Sequence, residues 1–210
     1  MRKAWRVRGP AGTRTLWRMD ATFFFDPVCP WTWRASRWLV RVAEARNLAV
    51  EWRAFSLSIL NAGKVPPQFA EPMAASARTL RLVEALRAQG RHDDAGRFYT
   101  ALGEHSHDAG NPLSDKIVAT AVEAAGLDAV ASALEDESWD RAVHESHALA
   151  YSSAGPDIGS PVLMVPSAER GVHGPILTEV PDTDDALVLW DSLLPLIRMP
   201  AFHEIKRARH

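Results

Sequence analysis

At 210 residues, with 47% apolar and 24% charged residues, the chain can bury the core of one domain, or of one domain carrying a large insertion. A net charge of −2 argues against a nucleic-acid or membrane-surface protein, and no apolar run approaches the roughly 18–20 residues of a membrane span. The one cysteine, Cys29, excludes an intrachain disulfide; with no secretory signal pattern it predicts a reducing, cytoplasmic setting.

Residues 1–18 carry Arg2, Lys3, Arg6, Arg8, Arg14 and Arg18 and no acidic residue, and read as a basic, disordered extension ahead of Met19. Residues 21–25 (Ala-Thr-Phe-Phe-Phe) predict a short buried strand ended by Asp26-Pro27. A helix then opens with Pro30 near its first position. Ala35, Trp38, Leu39 and Val42 form its apolar face, and it reaches Asn47. Alternation over 50–55 predicts a second strand, so strand, helix and strand make a right-handed crossover and a parallel pair. Residues 66–150 predict a helical insertion divided by Gly90, by Gly110-Asn111-Pro112 and by Gly126. Leu80, Val83 and Leu86 mark one helix face, and Ser114 and Asp128 are placed as N-caps. Residues 161–165 and 175–180 predict a hairpin, and a last helix starts in the acidic run 182–185 with Leu187, Trp190, Leu194 and Ile197 inward. The order βαβ, helices, ββα is α/β: a mixed sheet built from 19–65 and 151–210, with the helical insertion between.

Cys29 stands where the first strand gives way to the helix, in Phe25-Asp26-Pro27-Val28-Cys29-Pro30-Trp31-Thr32-Trp33. A lone intracellular cysteine is most often a small buried hydrophobe. At a helix start, though, unpaired N–H groups and the positive dipole end favour thiolate over thiol, and Thr32 can offer its hydroxyl and N–H to the sulfur. Gly159-Ser160-Pro161 places a proline at the first residue of a strand, a candidate cis bond facing Cys29. His105 with His107, and His144 with His147, have metal-like spacing. No second cysteine or glutamate completes a recognisable set, so they read as structural and no metal is assigned. Trp33, Trp38, Trp52 and Trp190 fall in core elements, not on a base-stacking platform.

The blocks FFFDPVCPWTWRASRW, SLSILN, YTALGEHSHDAGN, DIGSPVLMV and GPILTEVP together resemble thioredoxin-fold proteins of the DsbA-like superfamily, and within it the actinobacterial mycothiol-dependent nitroreductase-like group. The resemblance implies a thioredoxin fold, a nucleophilic Cys29, a cis Pro161 opposite it and a helical lid. It implies mycothiol, or another low-molecular-weight thiol, as co-substrate, with no tightly bound cofactor. Pro30, Trp31, Asn61, Phe69, Ser160 and Pro161 would contact substrate. Thr32 stands where the family has its second cysteine, which leaves a monothiol site. Phe69 stands where close relatives carry a tyrosine, which removes a hydroxyl. The activity expected is a thiol–disulfide oxidoreductase acting on a small-molecule or protein disulfide, with Cys29 forming a mixed disulfide that an external thiol resolves. The alternatives are a kappa-type thiol transferase or chromene-carboxylate isomerase that activates a bound thiol, and a non-catalytic redox sensor.

Overall fold

A computed structural model describes residues 19–166 and 168–208, so the expectation for 1–18 lies outside the described residues. Strand β1 (Ala21–Phe25) pairs in parallel with β2 (Val50–Ala54), from Ala21 opposite Val50 to Phe25 opposite Ala54. On its other side β1 pairs antiparallel with β3 (Val162–Met164), which pairs antiparallel with β4 (Val172–His173), giving the order β2-β1-β3-β4.

Three consecutive phenylalanines can be fully buried in β1 because both sheet faces are covered. Phe23 and Phe25 point into the main hydrophobic cluster, whereas Phe24 points into a second one with Phe55, Ala150 and Val162. Each such ring contributes about 1.5–3 kcal/mol on burial.

Helix α1 (Pro30–Arg46) opens with proline at its first turn and ends at Asn47, whose left-handed conformation (φ 51°) lets its N–H reach the Ala43 carbonyl. Trp38, Leu39 and Val42 are fully buried, and the Trp38 indole donates to the Ala186 carbonyl at 3.1 Å. That bond ties α1 to the terminal helix α7 (Thr183–Ile197), which is capped by the Asp182 carboxylate accepting from the Asp185 N–H.

Between β2 and β3 the chain runs through helices. These are α2 (Leu57–Leu60), a 3₁₀ turn (Pro67–Phe69), α3 (Ala70–Ala88), α4 (His92–Gly103), a π-helical turn (Glu104–Asp108), α5 (Asp115–Ala125), two more 3₁₀ segments (Asp128–Leu134 and Glu137–Trp139) and α6 (Asp140–Ala154). They do not form a core of their own. Tyr99 of α4 stacks on Phe25 of β1 (4.0 Å, 23°) and meets Trp52 of β2 edge-on. The largest hydrophobic cluster runs unbroken from the sheet through α3, α4 and α5 to α7.

Two local expectations need correction. The partner of β3 is Val172–His173, not 175–180. Pro175 has no N–H for a ladder, and β3 offers too few residues to extend one; after the cis Gly174–Pro175 bond the chain leaves the sheet. Asp128 is the first residue of a 3₁₀ segment instead of capping an α-helix, whereas Ser114 does occupy the N-cap of α5, without a side-chain bond.

Candidate active site at the start of the first helix

The pairing of β1 with β3 decides where the cysteine sits. With Phe24 opposite Val162, the residues following β1 must lie beside those preceding β3. Cys29 is the N-cap of α1 and Ser160 precedes the cis Ser160–Pro161 bond, which the sequence anticipates. The thiol donates to the Ser160 carbonyl at 3.7 Å. The Ser160 Oγ accepts the Asp26 N–H at 2.9 Å and lies 2.8 Å from the Thr32 Oγ1. Thr32 is fully buried and Cys29 is only 8% exposed.

This burial reverses one expectation. Burial pushes the Cys29 thiol above its ordinary pKa, more than the Thr32 hydroxyl and the N–H groups of Thr32 and Trp31 pull it down, and the Asp26 charge adds to the rise. The donors of the helix start are present, as sequence position requires, but removal from water outweighs them.

Asp26 is the functional candidate that sequence reading missed. The Asp-Pro pair reads as the end of a strand, yet the carboxyl is fully buried under the cysteine loop. Its Oδ1 accepts from the Val28 N–H (2.9 Å) and the Ser76 hydroxyl (2.6 Å), and its Oδ2 from the Leu57 N–H (2.6 Å). Burial raises its pKa against the pull of those three donors. Through this one side chain the loop bearing Cys29 is joined to α2 and α3.

A second junction comes from the π-helical turn. The His107 Nε2 bonds the Pro27 carbonyl at 2.8 Å, the imidazole stacks on Trp33 (5.9 Å, 20°), and the Trp33 indole donates to Asp108 Oδ1 at 2.7 Å. The other histidines are dispersed. The His105 Nδ1 meets the Ala101 carbonyl, His144 is exposed, and the His147 Nδ1 accepts from the Ser56 N–H. Among the described residues no three metal-ligating side chains converge.

The remaining expected contacts divide. Pro30 is exposed and Pro161 buried, while Trp31 is half-buried under the Arg34 guanidinium at 5.2 Å. Trp31 lines a cleft of about 1050 Å³, shared with His173, Pro175, Leu193, Ile197 and Phe202. Asn61 and Phe69 do not line that cleft. The Asn61 amide folds back on the Leu57 carbonyl, one turn from the Leu57 N–H that meets Asp26, and Phe69 is 48% exposed at the end of its 3₁₀ turn.

Known proteins give the arrangement a context. The sequence model of a family described as Rv2466c-like, mycothiol-dependent nitroreductase Rv2466c, matches residues 28–207. The uncharacterized protein Rv2286c of Mycobacterium tuberculosis (strain ATCC 25618 / H37Rv) is 30% identical over 195 residues, covering 89% of this chain and 81% of its own. Among solved structures, a 2-hydroxychromene-2-carboxylate isomerase superposes with a TM-score of 0.56 at 16% identity, over 85% of this chain and 96% of its own. The cytosolic disulfide reductase DsbM from Pseudomonas aeruginosa, with GSH, superposes at 0.52 and 14% identity, over 83% and 98%. At such identities the solved structures speak for the fold alone, whereas the family match spans most of the chain. The protein belongs to the Rv2466c-like mycothiol-dependent nitroreductase family and is a DsbA-like oxidoreductase of thioredoxin fold.

Proposed function

We propose that this protein is a thiol-dependent oxidoreductase that works through Cys29 alone and relies on an external low-molecular-weight thiol, mycothiol by family, for resolution. The observation that carries the reading is Thr32. It is buried and bonded to Ser160 at the position from which a resolving thiol would attack, and the sequence holds no other cysteine.

In the cycle the Cys29 thiol first loses its proton to solvent. The thiolate attacks one sulfur of a disulfide, the Cys29–sulfur bond forms as the substrate S–S bond breaks, and the second half leaves as a thiolate. A thiolate from solution then attacks the substrate-derived sulfur of the mixed disulfide, releasing Cys29 as a thiolate and becoming joined to the retained substrate half. A second external thiolate exchanges with that mixed disulfide and frees the half as a thiolate. The electron pair gained by the substrate disulfide comes from the two external thiols, which depart joined as a disulfide. A thiol whose pKa lies above neutrality attacks through a minor thiolate fraction that is intrinsically more nucleophilic, so adduct formation gains speed as pH rises past 7. Trp31, Pro30 and Pro161 would form the wall beside the sulfur. The adjoining cleft of about 1050 Å³ has the size of a small-molecule site and would receive the rest of the thiol conjugate. Asn61 and Phe69 would border the entry from α2 and the turn after it. A reducing cytoplasm suits this chemistry.

One observation favours a second reading. Cys29 is held toward its protonated form beside two hydroxyls, Thr32 and Ser160, a setting that could also hold and polarise a bound thiol. An isomerase that shares the fold gives this reading its chemical class. Turnover of a small disulfide and of a nitroaromatic panel, with mycothiol or glutathione as reductant, separates the two. The oxidoreductase reading predicts thiol-dependent turnover that falls roughly 100-fold or more in Cys29→Ser. Turnover that survives the substitution would overturn it.

A further inference from the structure

Two hydroxyls are buried beside the only thiol, and their bonding is unusual for this molecule. A threonine inside a helix tends to return its proton to the carbonyl four residues back. Thr79, Thr100 and Thr120 do so here, to Ala75, Gly96 and Lys116, at 2.9–3.0 Å. Thr32, in the first turn of α1, has no carbonyl of its own helix four residues back, and its Oγ1 pairs with the Ser160 Oγ at 2.8 Å.

Either hydroxyl can donate in that pair, and the next bond along is compatible with Ser160 as donor: its Oγ accepts the Asp26 N–H at 2.9 Å and keeps its own proton to give to Thr32 Oγ1. A Thr32 oxygen that accepts from Ser160 has its remaining proton to give. Thr32 stands three residues after the N-cap, Cys29, and its hydroxyl is the first of the groups that pull the Cys29 pKa down against burial. In the thiol form the sulfur donates to the Ser160 carbonyl at 3.7 Å, and ionisation removes that bond. The hydroxyl proton is then the replacement, delivered to the charged form.

We infer that Ser160 is a positioning residue for Cys29: its hydroxyl, fixed by the Asp26 N–H, orients the Thr32 proton onto the Cys29 thiolate. This rests on the reading of Cys29 as the reacting group and adds a residue that acts only through another. The other ionisable groups around the sulfur are the Asp26 carboxyl beneath the loop and the Tyr99 phenol of α4; His107 touches the same loop at the Pro27 carbonyl. None of these is changed in the test.

The test is alkylation of the full-length protein by iodoacetamide across pH, followed by intact mass, which reports Cys29 alone because no other thiol exists. Ser160→Ala should slow alkylation at pH 7 roughly three- to tenfold. The midpoint should move to higher pH while the high-pH plateau is kept. Ser160→Thr, which retains the hydroxyl, should restore the wild-type profile. On a Thr32→Val background, Ser160→Ala should add nothing further. Ser160→Gly, with room for a water on the Asp26 N–H, serves as the second variant if alanine unfolds the protein. A wild-type midpoint in the alanine and glycine variants, or an undiminished effect on the Thr32→Val background, would overturn the assignment. No turnover is needed, so failure of the oxidoreductase reading in the turnover assay leaves this result separately readable.

Discussion

A single missing atom at Gly103 shows how closely the site is fitted. A Cβ there would come within 2.1 Å of the Trp33 ring, deep inside any allowed contact. That ring cannot slide freely. It lies under the Arg37 guanidinium at 4.1 Å, against His107 and Tyr99, with its N–H on Asp108. Gly103→Ala should therefore destabilise the fold by roughly 1–3 kcal/mol in urea titrations, although alanine is the better helix former by about 1 kcal/mol. Equal or greater stability would mean that the indole moves at no cost. Sequence assigns Trp33 to the core correctly but gives no sign that Gly103 is its seat, because the two residues are 70 positions apart and meet only in the folded chain. The same limit applies to Cys29. Its place at a helix start is legible from Cys-Pro after an apolar run; the depth of its burial is set by Ser160, 131 residues on.

At the level of elements, the π-helical turn Glu104–Asp108 accounts for the hold of the helical region on the cysteine loop. Its wider winding presents His107 to Pro27 and Asp108 to Trp33 in succession. Burial lowers the His107 pKa below the ordinary 6.5, with the Pro27 carbonyl opposing, and lowers that of His147 likewise. As pH falls, the unfolded chain then takes up protons before the folded one. Stability is thus complete above about pH 6.5 and declines below it toward the folded pKa values. Asp26 acts in the opposite sense, since its raised pKa favours the fold at low pH and that benefit is lost as pH rises through the folded value. Urea stability measured from pH 7.5 to 5.5 should fall, and His107→Gln should flatten the fall without abolishing it, because His147 remains. An unchanged slope would remove His107 from the account. Sequence finds the first strand, its helix and the second strand almost to the residue, since each is bounded by proline, asparagine or a change of period. It misplaces the last strand, because Ile176-Leu177-Thr178 has strand composition but no partner left to pair with.

Across the whole molecule, the chain order predicts the topology, and the family match agrees with the fold. What the order does not disclose is that sheet and helices share their hydrophobic clusters and are joined by polar ties such as Asp26 to Leu57 and Ser76, and His107 to Pro27. Asp26 was illegible because a carboxyl beside a proline carries the same pattern in any surface turn; only the donors brought by α2 and α3 distinguish it. The central claim is that one thiol does all the covalent chemistry. Its most direct test is intact mass after exposure of wild type, Cys29→Ser and Thr32→Cys to mycothiol or glutathione disulfide, before and after excess free thiol. The account predicts one adduct on wild type, forming faster from pH 7 to 9 and removed by free thiol. It predicts none on Cys29→Ser, and an internal disulfide with little adduct on Thr32→Cys. A wild-type protein that stays unmodified throughout that pH range would contradict it and leave Cys29 as a buried core residue.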